Sequence, residues 1–193
     1  MFRLTTLTLL IGSATCAWAQ DDSLTFGLSD PIDPALMDPR FADDPPGTLV
    51  ELCPQADTHI GEIARRIATH GGLALIVDYG GWRSQGDTLQ ALRAHAFDDP
   101  LTHPGQADLT AHVDFQALAA ASDTAFSYTT QGALLTALGL PQRSAQLAAR
   151  LSGAQLTQHL ATTRRLTAPE EMGQLFKAIA VFPSSAPLPP GFA

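Results

Sequence analysis

An unbroken run of five apolar residues, Leu73 to Val77, lies between two glycine pairs and ends on Asp78-Tyr79. Such a run between turn signals predicts a strand buried on both faces, the usual state of a central parallel strand. Just upstream, Ile60, Ile63, Ala64 and Ile67 recur at helical spacing from Pro54 to about Thr69, and Gly71 stands where a C-terminal glycine cap belongs. Helix, Gly-Gly, strand is the second half of a βαβ unit.

The pattern continues on both sides. Asp22–Leu28 alternates as a short strand, and Thr48–Cys53 reads as a second strand that can pair with it; Glu51, its polar interruption, can be a site residue, though the alternation favours solvent exposure. Between them, residues 29–47 hold five prolines and five aspartates and predict a surface excursion. Asp87 can cap a short helix carrying Leu89 and Leu92, and His95–Gln106 reads as loop. A helix over Phe115–Ala121, a strand over Thr124–Tyr128 and a helix over Ala133–Leu138 closed by Gly139 come next. Helices then start at Pro141 and at Ser152. Thr167–Glu170 fits a capping box for a short helix to about Gly173, Leu175–Phe182 is the last strand, and residues 183–193 form a proline-rich tail. Strands alternating with helices predict an α/β layered fold.

Ligands in open α/β sheets bind outside the carboxyl ends of the strands. That rule singles out Asp78, Tyr79 and Gly80. A second cluster, Asp108-Leu-Thr-Ala-His-Val-Asp-Phe115, carries Asp108, Thr110 and His112 at alternate positions, which in an extended segment share one side. Shared direction suits a substrate-contact loop and suits a hydrogen-bonded turn equally. Asp114 can contact substrate or cap the following helix, and Gln131 and Gly132 lie at a helix entry as packing or loop residues.

Composition narrows the classes. The 193 residues are 45% hydrophobic with a net charge of -8 and no Lys/Arg run, which argues against nucleic-acid binding through phosphates. Two cysteines and six scattered histidines offer no disulfide framework and predict no metal. No P-loop, glycine-rich dinucleotide loop or Gly-x-Ser-x-Gly elbow is present. Met1-Phe-Arg3, an apolar stretch to Cys16 interrupted by hydroxyl residues, and Ala17-Trp-Ala19 together have the three parts of a secretory signal. That stretch is too short to span a bilayer, so no stable membrane insertion is expected.

Four stretches, taken in order and spacing, resemble a known family. They are Gly71-Gly-Leu-Ala-Leu-Ile-Val-Asp-Tyr-Gly80, Asp108 to Phe115, Thr130-Gln-Gly132 with Leu138-Gly-Leu-Pro-Gln-Arg143, and Met172-Gly-Gln-Leu-Phe-Lys177. Over roughly residues 47 to 182 the chain is similar to the carboxyl-terminal half of the MidA-like class I S-adenosylmethionine-dependent methyltransferases, whose mitochondrial members methylate an arginine of a complex I subunit. The resemblance implies the carboxyl-terminal part of a Rossmann-like sheet, with Leu73–Val77 as its fifth strand and Thr124–Tyr128 and Leu175–Phe182 as the last two, one of them antiparallel to the rest. It implies S-adenosylmethionine as cofactor and a protein substrate. Asp78 and Tyr79 would be catalytic, and Gly80, Asp108, Thr110, His112, Asp114 and Gln131 would contact substrate. The family's cofactor site, a glycine-rich loop and an acidic residue after the first two strands, has no counterpart here. Family-like sequence is expected only from about Asp22. Residues 1–20 are then either a signal-like leader or a mis-started lead-in to a partial domain over 21–193. A cytoplasmic location follows, with export through residues 1–19 as the alternative.

Overall fold

The computed structural model describes residues 7–10, 13–20, 23–28, 30, 31, 33 and 37–192. It divides into two compact units, Met1–Gln55 with Arg83–Asp114 and Ala56–Trp82 with Phe115–Ala193. The sequence points instead to one partial domain behind a leader.

The first unit is built on an antiparallel sheet in the order β3-β2-β1-β4, from β1 (Leu7–Leu10), β2 (Ser13–Gln20), β3 (Ser23–Leu28) and β4 (Leu49–Leu52). The signal-like reading of residues 1–20 falls partly outside the described residues; those described are strands. β4 therefore pairs with β1, in the register Leu7↔Leu52 to Leu10↔Leu49, and two strands separate it from its expected partner β3.

A three-residue 3-10 turn, Pro39–Phe41, organises the described part of the proline- and aspartate-rich excursion. Asp38 caps it by accepting from the Arg40 amide at 2.9 Å, and Phe41 is buried. The Arg40 and Arg83 guanidiniums stand over the Phe41 ring at 4.9 and 5.1 Å, cation–π contacts that hold the ring in place.

The helix expected after Asp87 is a strand. β6 (Gln90–Arg93) pairs antiparallel with β7 (Ala96–Asp98) and with β8 (Asp108–Thr110), and the two-residue β9 (Val113–Asp114) follows. The β6–β7 turn is Ala94-His95, both at positive φ (51° and 65°), the backbone of a type I′ hairpin. Leu89 and Leu92 look helical by spacing, but Ala91, fully buried between them, sets a strand period.

The second unit carries α1 (Pro54–His70) and the strands β5 (Ala74–Gly81), β11 (Phe176–Phe182) and β10 (Ala125–Thr130), with β11 between the other two and antiparallel to both. That arrangement agrees with the last-strand geometry the resemblance implies. Gly71, at φ 75°, closes α1 by donating to the Ile67 carbonyl at 2.8 Å. Ile63, Ala64 and Ile67 of α1 pack on Ala74 and Val181, covering one face of the sheet.

The other face corrects the sequence reading of β5. Leu73, Leu75 and Val77 are 52%, 51% and 41% exposed, so the run is not buried on both sides. An apolar run reports affinity for a core; it does not report which layers cover it.

The remaining helices are α2 (Phe115–Ala121), α3 (Gln131–Ala137), α4 (Leu140–Ala148), α5 (Gly153–Thr167) and α6 (Met172–Leu175). Thr130 caps α3. The expected capping box at Thr167–Glu170 does not form. Glu171 stands at the α6 N-cap without a side-chain capping bond, and Glu170 pairs with Arg164 at 2.6 Å. Ser144 of α4 ties onto α5 through His159 Nε2 (2.9 Å) and Thr163 Oγ1 (3.0 Å).

Candidate functional site

β5 delivers Asp78, Tyr79 and Gly80 to one end of the second unit's sheet. In register, Asp78 lies beside Lys177 and Lys177 beside Thr130, so the end of β5 is level with the entry to α3 at Gln131. Asp78 Oδ1 accepts from the Tyr79 amide at 2.8 Å, a local turn that fixes the carboxylate against its own backbone. Tyr79 meets Phe176 edge-on, with centroids 5.6 Å apart.

Lys177 secures this corner. Its ammonium donates to the carbonyls of Gly80 (2.9 Å), Gln174 and Leu175, joining the end of β5 to the last turn of α6. Burial lowers its pKa below the ordinary lysine value. The sequence holds Lys177 only as the last residue of a motif. Nothing in spacing reveals that it reaches the carbonyl of a residue 97 positions away.

Gln131 is buried, and its amide donates to the Leu166 carbonyl at 2.9 Å, which pins the end of α5. Beside it, Thr130, Gly132, Thr136, Thr167, Gly173 and Gln174 line an open cleft of about 410 Å³. Two glycines make that packing feasible. A Cβ on Gly132 would sit 2.6 Å from the Thr167 carbonyl oxygen, and one on Gly173 would overlap the same carbonyl.

Asp108, Thr110, His112 and Asp114 belong to the first unit. Asp108 and Thr110 lie on β8 opposite Leu92 and Gln90, and the strand ends before His112. The Thr88 hydroxyl accepts from the His112 amide at 2.8 Å and donates to Glu51, whose carboxylate also takes the amides of Thr88 and Leu89 at 3.0 Å. Glu51 is therefore buried, contrary to its expected exposure. Three neutral donors from a distant loop solvate it. Asp114 accepts from Arg40 Nη1 at 3.0 Å, and Arg40 also forks onto Asp38 at 2.7 and 2.8 Å. Asp38 titrates below its ordinary value. Burial alone would raise it, but the Arg40 hydrogen bonds and charge outweigh that cost.

Among the described residues, no group of three His, Cys, Asp or Glu side chains is placed to hold a metal ion. No described helix is long and apolar enough to cross a membrane.

A sequence model of the family described as putative S-adenosyl-L-methionine-dependent methyltransferase matches residues 8–134. The chain belongs to that family. The match begins well before Asp22, so residues expected to lie outside the family fall within it. Among relatives of this methyltransferase family, protein arginine methyltransferase NDUFAF7 of Xenopus laevis is 37% identical over 147 residues, 74% of this chain and 34% of the relative. The Drosophila melanogaster homologue is 33% identical over 184 residues, 91% of this chain and 41% of its own. A Burkholderia thailandensis superfamily member crystallised with S-adenosyl-homocysteine has a TM-score of 0.79 at 25% identity, covering 97% of this chain and 52% of that one. A second solved structure, of an uncharacterised protein of that superfamily from the same organism, has a TM-score of 0.76 at 26% identity, with 94% and 51% covered. The chain thus spans about a third to two-fifths of these curated relatives and about half of the solved ones.

The family is S-adenosylmethionine-dependent, and one solved relative holds S-adenosyl-homocysteine. In the second unit β5 and β10 each pair antiparallel with β11. The cleft beside α3 is lined without a carboxylate to accept from ribose hydroxyls.

Proposed function

We propose that this chain carries the substrate-side half of a protein arginine methyltransferase, which works together with a cofactor-holding half. The observation that carries the reading is its match, over 74% and 91% of its length, to two proteins named as arginine methyltransferases. A guanidinium acceptor needs a carboxylate that orients its planar donors. Asp78 is the candidate, with Oδ1 fixed by the Tyr79 amide and Oδ2 carrying no hydrogen bond among the described residues. Tyr79 and Gly80 shape the same edge. On the first unit Asp108, Thr110 and His112 are the candidate substrate contacts. Asp114 serves through the loop that Arg40 holds, and Gln131 through its hold on α5. The location proposed is the cytoplasm, where the cofactor is made and used.

A second reading, in which the chain is a non-catalytic docking or assembly factor, rests on its spanning only 34% and 41% of those relatives. One experiment separates the two. The tagged full chain is recovered from its own cells with its bound proteins and incubated with methyl-labelled S-adenosylmethionine. Labelled arginine is expected in a co-purifying protein, and it falls at least tenfold with Asp78→Asn. Intact complexes that transfer no label leave only the docking reading. Fractionation of the same cells tests the location. By calorimetry, the purified chain alone is expected to show no micromolar affinity for the cofactor.

A further inference from the structure

We infer that the face of α4 on which Arg143 and Arg150 flank Leu147 is a docking surface for an acidic segment of a partner protein, one that sets an apolar side chain between two carboxylates. The surface goes beyond the methyltransferase reading and does not depend on it. It stands on charge and packing within the second unit.

Residues 124–169 hold four arginines and no Asp or Glu, so all 19 acidic residues of the chain lie elsewhere. That segment supplies α3, α4 and α5, an island of positive charge in a chain of net charge -8. Arg164 is engaged by Glu170 and Glu171. Arg143 and Arg150 form no ion pair among the described residues. The helices that carry these arginines are thinly covered. Only Ser144 is buried on α4 and no residue is buried on α5, although helices in proteins draw most of their stability from a packed face. Their shared seam is polar, Ser144 meeting His159 and Thr163.

At about 100° per residue, Arg143, Leu147 and Arg150 share a narrow arc, roughly a quarter-turn round α4 from the Ser144 seam. Arg150 continues the last turn, its amide donating to the Leu147 carbonyl at 3.0 Å. Together with Gln146 and Ala149 the three line a groove of about 410 Å³, in which Leu147 is 38% exposed. The arginines stand two turns apart, roughly 10 Å along the axis. Planar guanidiniums take carboxylates or phosphates as bidentate partners. Leu147 decides between the two, because a phosphate oxygen gains nothing from an apolar neighbour, whereas a protein segment can bury a side chain against it. The net charge of -8 also repels extended polyanions such as nucleic acid or an anionic bilayer. A short acidic segment feels mainly the two arginines it touches, since salt screens charges beyond about 8–10 Å.

The test replaces Leu147 with the photo-cross-linking residue p-benzoylphenylalanine in the intact chain, in its own cells, and maps the adducts by mass spectrometry. The expected adduct lies in a protein segment with two Asp or Glu residues about two helical turns apart around an apolar one. Arg143→Glu with Arg150→Glu should cut its yield at least about tenfold. Arg66→Glu, on the exposed side of α1, should leave the yield unchanged. Changing the partner's two carboxylates to lysine should restore the adduct to the charge-reversed chain. Circular dichroism checks that each variant folds, and Arg143→Gln with Arg150→Gln, expected to lower the yield at least about threefold, replaces the reversal if that one does not. The inference is overturned if no adduct forms, or if the adduct is to nucleic acid, lipid or a second copy of this chain. It is equally overturned if the linked segment lacks the carboxylates or if the yield survives loss of both arginines.

Discussion

Arg40 and Lys177 show how single cations do different work in the two units. Arg40 spreads its planar donors over Asp38 and Asp114 while its face lies on Phe41, so one side chain holds a turn, a strand end and a ring. Lys177 donates to backbone carbonyls and locks a corner of the sheet. The Asp38 carboxyl, lowered below 3.8, makes a pH-dependent contribution. A depressed acid stabilises the fold fully above its ordinary value, and that increment disappears as pH falls through the folded one. Urea midpoints should therefore drop below about pH 4, and Asp38→Asn should flatten part of that limb. At neutral pH the same change should cost about 1 kcal/mol, modest because the pair is partly solvated. A midpoint that is equally acid-sensitive in the variant would refute the assignment. Neither Glu51 nor Lys177 was legible as a structural residue from sequence, since their partners lie 37 and 97 positions away.

Elements that carry their own signals were readable. The α1 stripe ends on Gly71 as a glycine cap should, and Phe115–Ala121 is the helix its composition predicts. The β6–β7 hairpin was not, because its turn holds Ala94 and His95 where glycine or asparagine normally announces one. L-residues in the left-handed region cost about 1–2 kcal/mol each. His95→Gly should relieve part of that strain and raise stability by roughly 0.5–1 kcal/mol, read from denaturant midpoints. A loss would mean that the turn does not have this geometry. The capping box over Thr167–Glu170 failed for a tertiary reason. The Thr167 carbonyl is packed against Gly132 and Gly173, and Glu170 is drawn to Arg164.

At the scale of the whole molecule, the α/β class and the end of β5 could be read from sequence, while the division into two units could not. The chain passes between the units at Gln55–Ala56, Trp82–Arg83 and Asp114–Phe115 without a linker-like composition to mark the crossings. The site residues divide the same way. Asp78, Tyr79, Gly80 and Gln131 lie on one unit, and Asp108 to Asp114 on the other. The exposed face of β5 arises from the same limit. Five apolar residues in a row mark a strand that belongs in a core, and only the fold shows which of its two faces is covered.

Trp82 stacks on Phe126 at 6.0 Å and leans on Tyr128 at 5.0 Å within the second unit. Its emission therefore reports on the second unit. Trp18→Phe leaves Trp82 as the sole tryptophan, and its emission can be followed along a urea gradient beside far-ultraviolet circular dichroism, which reads both units. Curves that separate would show the units melting one after the other, and superimposed curves would show a single cooperative transition.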